Sequence, residues 1–542
     1  MTRAAVTTDL APPDREPALR PLKGRRAMAT PALTPPTRPL RRAVLALGVV
    51  TALVLALAGC GASSAGGGSG SATTIRWAWQ LPTTWDPVTS SAGSDVQMLA
   101  LTYDALTALD EQGNAVPWLA ESWAYDDTGT EVTFTLREGL EFSDGSPLDA
   151  TAVAKSIERG RTQDGSLIAP QMTSIEKVAA EGERDVVITL NEVDYQYPLL
   201  FAGKTGMVVN PAVFETDVDS LATKPAGSGP FALTSYVQND HASLKKNPHF
   251  HRADEIKVDT FELYPQQDPA TVVAAVQSGQ FNVARLSGAQ VEQAEQAGLD
   301  VQVIDTMYIS VLDVHAGKAP FDDPAVAEAM KYAIDREKLK EVVGFGVGDV
   351  NYQPFPPGYV GYNEELADVY AYDPDRARRI LREAGYTEPV EVVFTSSGQS
   401  PAAVELIQAQ LKDVGIDAEI ETIPQTQHTQ LVYLERAKAL TYDGFAGRES
   451  PVQAFQVLFG AEGLMNPGRR SDPELEKQLD KVKRTPTDDP SYPALVQEAT
   501  RIAVTNFPNV FLQLVPTIVA RKGVSELPDL PSLRRFEGVT VS

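Results

Sequence analysis

One cysteine, Cys60, and five histidines are what this 542-residue chain offers for thiol, imidazole or metal chemistry. A single thiol closes no intrachain disulfide and builds no Cys-rich metal site. His249 and His251 stand two residues apart, just after Asn247-Pro248, while His315 and His428 are isolated. Ser243-Leu244-Lys245-Lys246 matches Ser-x-x-Lys but lacks the companion motifs that would make it catalytic. Gly344–Gly348 is glycine-rich, yet no strand precedes it and no helix follows, so it reads as a loop rather than a phosphate cradle. An enzyme needs a nucleophile beside a base, or two carboxylates with separated pKa values. Neither is legible, so the chain reads as a protein that binds, with no cofactor, no metal and no catalytic residue expected.

The surroundings of Cys60 give it a purpose. Arg41 and Arg42 precede the apolar run Ala43 to Ala58, and Gly59 then leads into Cys60. A basic start, an apolar stretch and a small-residue cleavage site make a secretory signal peptide. Leu57-Ala58-Gly59-Cys60 resembles a bacterial lipobox, which implies cleavage before Cys60 and a diacylglyceryl group on its thiol. Several acyl chains anchor stably where one is marginal. The Gly/Ser-rich stretch Gly61 to Ala72 follows at once and has the composition of a flexible tether. The expected mature protein therefore sits at the outer face of the cell membrane, lipid-anchored. Residues 1–27 are Pro- and Arg-rich without apolar periodicity, which points to Met28 as the start of translation.

Composition sets further bounds. The net charge of −25 excludes a nucleic-acid partner, which requires a basic footprint. The length fits two to four domains, at roughly 100–200 residues each. Asp-Pro pairs at 268–269, 323–324 and 373–374 place an N-cap before a helix-tolerant proline, each ahead of helical apolar spacing. Gly279 and Gly385 close the first and third of these. Phe281 to Leu286 and Val390 to Thr395 read as strands. Pro401 to Val414 reads as an amphipathic helix ended by Gly415, and Ile416 to Ile423 alternates as a strand does. Strand, helix, strand in that order predicts a crossover unit of an α/β lobe. A helix over about 492–505 and one strand-like segment, Asn509 to Ala520, follow.

Six blocks in order resemble the peptide/nickel-type extracytoplasmic solute-binding proteins, family 5. Leu119-Ala120-Glu121-Ser122-Trp123, the strand Val132 to Leu136 with Arg137-Glu138-Gly139, and Phe142-Ser143-Asp144-Gly145-Ser146-Pro147 form the most specific stretch. Gly227-Ser228-Gly229-Pro230-Phe231, Lys246-Asn247-Pro248, Pro320 to Asp323 with Ala329 to Arg336, and Tyr372-Asp373-Pro374 through Tyr386 complete the set. As structure, Asp-Gly and Gly-Pro are turn chemistry, and Trp123 and Phe142 read as core.

The resemblance implies an α/β, periplasmic-binding-protein-like fold of the class II or cluster C type: two lobes on a hinge plus an inserted domain. It implies a leader over 1–59 and a tether over 60–72. Domain I then covers 73–107, 186–303 and 513–542, domain II 108–185, and domain III 304–512. It further implies capture of a peptide or small molecule for the permease subunits of an ABC importer, by a monomer. A ligand-sensing surface lipoprotein and a metal-chelate (nickel-type) binder are the alternatives. Carried over from the family, the loop after the first strand (Trp85-Asp86-Pro87) brings Ser91, Ala92 and Gly93 to the cleft. The strand ending Arg285-Leu286-Ser287 and the position of Tyr308 also meet it, and His249-x-His251 falls on the surface. Peptide-binding members carry Gly-Trp and, three residues later, an Asp for the peptide ammonium. Here Gly444-Phe445-Ala446-Gly447-Arg448-Glu449-Ser450 has neither, which puts recognition of a peptide N-terminus in doubt. Arg448 and Arg285 offer bidentate recognition of a carboxylate or phosphate instead. The competing reading is that Glu449 or another acid of the protein already neutralises Arg448, leaving Phe445 and Tyr308 to line an apolar or sugar-stacking cleft.

Overall fold

The computed structural model describes residues 73–529 and 536–542. The leader, the lipobox with Cys60 and the tether lie outside the described residues. Among the described residues, no helix is long and apolar enough to cross a membrane.

Local chemistry starts and stops many of the helices. Asp323 and Asp373 accept backbone N–H bonds from Ala325 and Arg376, capping the helices Pro324–Ala333 and Pro374–Glu383 as their Asp-Pro pairs predict. The helix Pro401–Val414 ends on Gly415 at φ 95°, a left-handed turn that a side chain would oppose. The Asp268-Pro269 pair behaves differently. Asp268 holds a turn through Ala270, Thr271 and Val272, and the helix begins only at Val272, running to Gln277.

Two large sheets organise the chain. A seven-stranded mixed sheet runs in the order Asp300–Ile304, Thr517–Arg521, Val283–Leu286, Thr74–Trp79, Thr260–Pro265, His241–Lys246, Phe231–Val237. A six-stranded sheet runs Asp349–Val350, Val510–Leu514, Ile309–Val314, Leu440–Phe445, Val390–Ser396, Ile416–Thr422. Val390–Ser396 and Ile416–Thr422 pair in parallel through the intervening helix, which is the predicted crossover unit. A four-stranded antiparallel sheet (Ala120–Tyr125, Glu131–Leu136, Asp185–Leu190, Ile175–Glu181) shares one apolar core with the seven-stranded sheet, through Trp77, Phe134 and Phe261 among others. Asp185–Leu190 runs past residue 185, where the second domain was expected to end. The six-stranded sheet has its own separate core. The molecule is thus two lobes, one built on the seven- and four-stranded sheets and one on the six-stranded sheet.

Two strand-to-strand crossings join them. Asp300–Ile304 belongs to the first lobe and Ile309–Val314 to the second. The apolar segment expected as a single strand over Asn509 to Ala520 is two strands, Val510–Leu514 in the second lobe and Thr517–Arg521 in the first. Pro516 falls between them, and a proline cannot donate to a sheet ladder. The crossings are tied to each other: Val515 N donates to Tyr308 O at 2.9 Å, and Thr306 Oγ1 donates to Val515 O at 2.8 Å. Two short, bonded crossings are the geometry of a hinge.

Candidate ligand-binding cleft

Tyr308 stands in the hinge, at the floor between the lobes. Its side chain is 42% exposed, yet burial pushes its hydroxyl well above the usual range. Gly444 makes room for it: a Cβ there would fall 1.8 Å from the Tyr308 hydroxyl oxygen. Gly447, at φ 72°, turns the chain where a Cβ would meet Met307 at 2.3 Å, and Arg448 follows this turn.

Three cations gather around this floor. Arg285, on the strand Val283–Leu286 beside Val519, forms no side-chain hydrogen bond or ion pair among the described residues, and burial holds its guanidinium below its ordinary pKa. Arg448 donates only to its neighbour's carbonyl, Gly447 O, at 2.5 Å, with its guanidinium 5.3 Å from the Phe445 ring. Burial lowers its pKa, while the adjacent Glu449 pulls it back up. Lys204 comes from the first lobe and donates to Ser90 O at 2.7 Å. Burial first, and the positive charge of Arg448 second, push its ammonium down to about 8. None of the three forms an ion pair among the described residues.

The structural cations of this protein are treated differently. Buried Arg159 meets Asp86 at 2.5 Å. Lys331 donates to Val504 O, Phe507 O and Tyr370 Oη, and Arg336 to four carbonyls. Burying a cation is costly unless it is bonded. The cations at the cleft are under-bonded by comparison, with Asp95 and Glu449 the acids whose charge acts on Lys204 and Glu449 the one that acts on Arg448.

The loop carrying Ser91, Ala92 and Gly93 packs against the second lobe, for a Cβ on Gly93 would lie 2.9 Å from Ala446 Cβ. Buried Asp95 fixes this loop by accepting from Thr83 and from Ser90 Oγ at 2.8 Å. Asp86 and Trp85, expected only as a marker of the loop, are an internal ion pair's acid and a fully buried core ring.

Two site expectations require correction. Phe445 is 0% exposed within the second lobe's core and offers no surface to a ligand. Strand alternation puts it on the inward face with Thr441 and Asp443, where it supports Arg448 from beneath. Ser287 is exposed, but its hydroxyl and backbone N–H are both engaged with Gln290 in a capping box, so its work is local. The histidine pair also departs from its expected surface position. His249 bonds Glu141 at 2.5 Å, while His251 is nine-tenths buried between Trp118 and Phe250, 3.4 Å from Asp104. Lys204 was not singled out by the sequence, whereas Glu449 was the acid that the competing reading offered to Arg448, and its charge does act on that guanidinium. Glu449 packs on Gly203, where a Cβ would fall 2.1 Å from its carboxyl carbon.

Beneath the floor, Asp443 accepts from Tyr433 Oη and from Gly444 N at 2.8 Å, with His428 Nε2 at 3.5 Å. Asp313 lies fully buried on the same face and accepts from Asn509 at 3.2 Å. Burial and then the charge of Asp443 push the Asp313 carboxyl well above its usual range.

A floor on a two-strand hinge, walls from two α/β lobes and under-bonded cations form a capture site. The chain belongs to the bacterial extracellular solute-binding proteins, family 5, whose middle-region model matches residues 114–460. Its role is that of the extracytoplasmic solute-binding component of an ABC importer. It is 26% identical over 429 residues to the glutathione-binding protein GsiB of Shigella dysenteriae, covering 78% of this chain and 79% of that one. Among solved structures it is similar to the periplasmic binding protein DppA of Helicobacter pylori with the peptide STSA: TM-score 0.77, 22% identity, 86% of this chain and 98% of that one. It is also similar to AgaA of A. tumefaciens R10 with agropinic acid: TM-score 0.76, 21% identity, 86% and 99%.

Proposed function

We propose that this protein captures a small solute bearing at least one carboxylate, an acidic peptide-like or opine-like molecule, and delivers it to ABC permease subunits from a lipid anchor at Cys60. The observation that carries the ligand class is the set Arg285, Arg448 and Lys204, desolvated at the hinge floor without an ion pair among the described residues. A carboxylate satisfies a guanidinium bidentately and relieves its desolvation cost. Ser91, Ala92, Gly93 and Tyr308 are assigned to the cleft wall and floor in this reading. The names of the relatives agree in chemistry, since glutathione and agropinic acid both carry carboxylates. The three-domain division, with domain I assembled from three segments, belongs to the same reading. So does a monomeric state.

Native mass spectrometry of gently purified protein tests the ligand class. A copurifying molecule that carries a carboxylate and dissociates at high salt or on Arg448→Ala is the expected result. A neutral or cationic molecule retained equally by wild type and Arg448→Ala would overturn the proposal.

A further inference from the structure

Away from the hinge, the lobes meet again at a place where no chain segment joins them. Gln196 is buried, at the start of the first lobe's short helix Tyr197–Leu200. Its Oε1 accepts two hydrogen bonds from the second lobe, from Ser450 Oγ at 3.1 Å and from Tyr492 Oη at 3.0 Å. Beside it, Tyr195 N donates to Lys483 O at 2.8 Å, and the Lys483 ammonium meets Glu192 at 2.8 Å. A backbone N–H bonded across two lobes is a rigid tie, and it exists only while the lobes are together.

Ser450 links this contact to the cleft. It lies two residues after Arg448 and caps the helix Pro451–Phe459, accepting from Gln453 N at 3.4 Å while donating to Gln196. Within the second lobe, Tyr359 Oη holds the carbonyl of Glu449 at 3.0 Å. The Arg448 loop is therefore anchored on one side by its own lobe and on the other by Gln196. The Gln196 Nε2 atom is buried without a hydrogen-bond partner. The amide is thus held through its oxygen alone, and these two bonds are what it contributes to the contact.

We infer that Gln196 is an interlobe latch and a positioning residue for Arg448: it fastens the lobes at Ser450 and Tyr492 and so presents the guanidinium loop to the cleft. The inference goes beyond the proposed ligand class and holds for whatever solute the cleft accepts. It predicts that the latch limits how often the lobes part. Loss of both hydrogen bonds should raise the opening frequency about tenfold, since each neutral bond is worth a factor of roughly three to ten.

Single-residue hydrogen exchange on the ligand-free protein reads this directly, because the Tyr195 amide is bonded across the lobes. Gln196→Leu keeps the volume and removes the acceptor; Tyr492→Phe removes one donor and leaves the packing. Expected are about tenfold faster exchange of the Tyr195 amide in Gln196→Leu and a smaller rise in Tyr492→Phe. Faster exchange across 446–450 should accompany both. Amides inside the strands Glu131–Leu136 and Ile309–Val314 should not change. Unchanged Tyr195 exchange in both variants would overturn the latch. A rise shared equally by those strand amides would reduce Gln196 to a structural role and overturn it as well.

Discussion

Binding of an acidic solute beside Lys204 should draw a proton from solution. Burial and the charge of Arg448 hold this ammonium at about 8. At pH 8 it is therefore about half protonated. An anion about 4 Å away contributes about 4 kcal/mol at an effective dielectric near 20; solvent screening of a partly exposed group reduces that to about 2 kcal/mol. That is about 1.5 pKa units, which carries the bound-state value to about 9.5. The bound state holds the proton more tightly than the free state, so uptake accompanies binding. It should reach about half a proton per ligand at pH 8 and fall below about 0.1 at pH 6.5. By the same linkage, affinity declines by about 12-fold as pH rises from 8 to 10. Lys331, also near 8, is bonded to carbonyls in the second lobe away from the cleft, and it should not contribute. Calorimetry at pH 8 in buffers of different ionisation enthalpy measures the uptake, and Lys204→Met should abolish it. No uptake at pH 8, or equal uptake in wild type and Lys204→Met, would refute the placement of the ligand's charge.

Four other outcomes follow from the same geometry. Arg285→Met removes a desolvated charge and keeps its apolar stem, so ligand-free Tm should rise by about 1–3 °C while affinity for an acidic solute falls at least about tenfold; differential scanning calorimetry and titration report the two halves. Gly447→Ala forces a side chain into φ 72° against Met307 and should cost about 1–3 kcal/mol in urea unfolding, with binding weakened in parallel. Asp313 has its folded pKa raised, so its burial costs nothing below the unfolded value near 4 and progressively more above it. Asp313→Asn should therefore stabilise the protein more at pH 7 than at pH 4, which denaturant melts at the two values check. Cys60→Ala should block processing or release the protein from membranes, read by fractionation and by mass spectrometry of the N-terminal peptide.

Much of the fold was legible because its signals are local. Asp323-Pro324 and Asp373-Pro374 state their helices within four residues, and Gly415 states an end. The segment 509–520 was not legible as two strands, because β-branched and apolar residues continue on both sides of Pro516. What divides them is that they join different sheets, a tertiary fact. Arg285, Arg448 and Tyr308 were singled out by resemblance and by a missing acidic residue, and the structure sets Tyr308 in the hinge and the two guanidiniums without ion pairs. Phe445 could not be set aside from sequence: in Leu440–Phe445 it alternates with Thr441 and Asp443 on one face, whose polar residues hide that the fold buries it. Lys204 carries no local mark at all. It matters because a loop of the first lobe lands near Arg448 of the second, and only the fold makes that contact.

Titration calorimetry of one matched pair tests the central claim most directly: an acidic solute that the protein binds and its neutral carboxamide analogue, each on wild type and on Arg448→Ala. A bidentate charged contact is worth about 1.5–3 kcal/mol, which is about 10- to 150-fold in Kd. The account predicts that wild type prefers the acid by a factor in that range, and that Arg448→Ala reduces the preference to near unity with its Tm intact. Equal affinity of wild type for acid and amide, unchanged in Arg448→Ala, would contradict it.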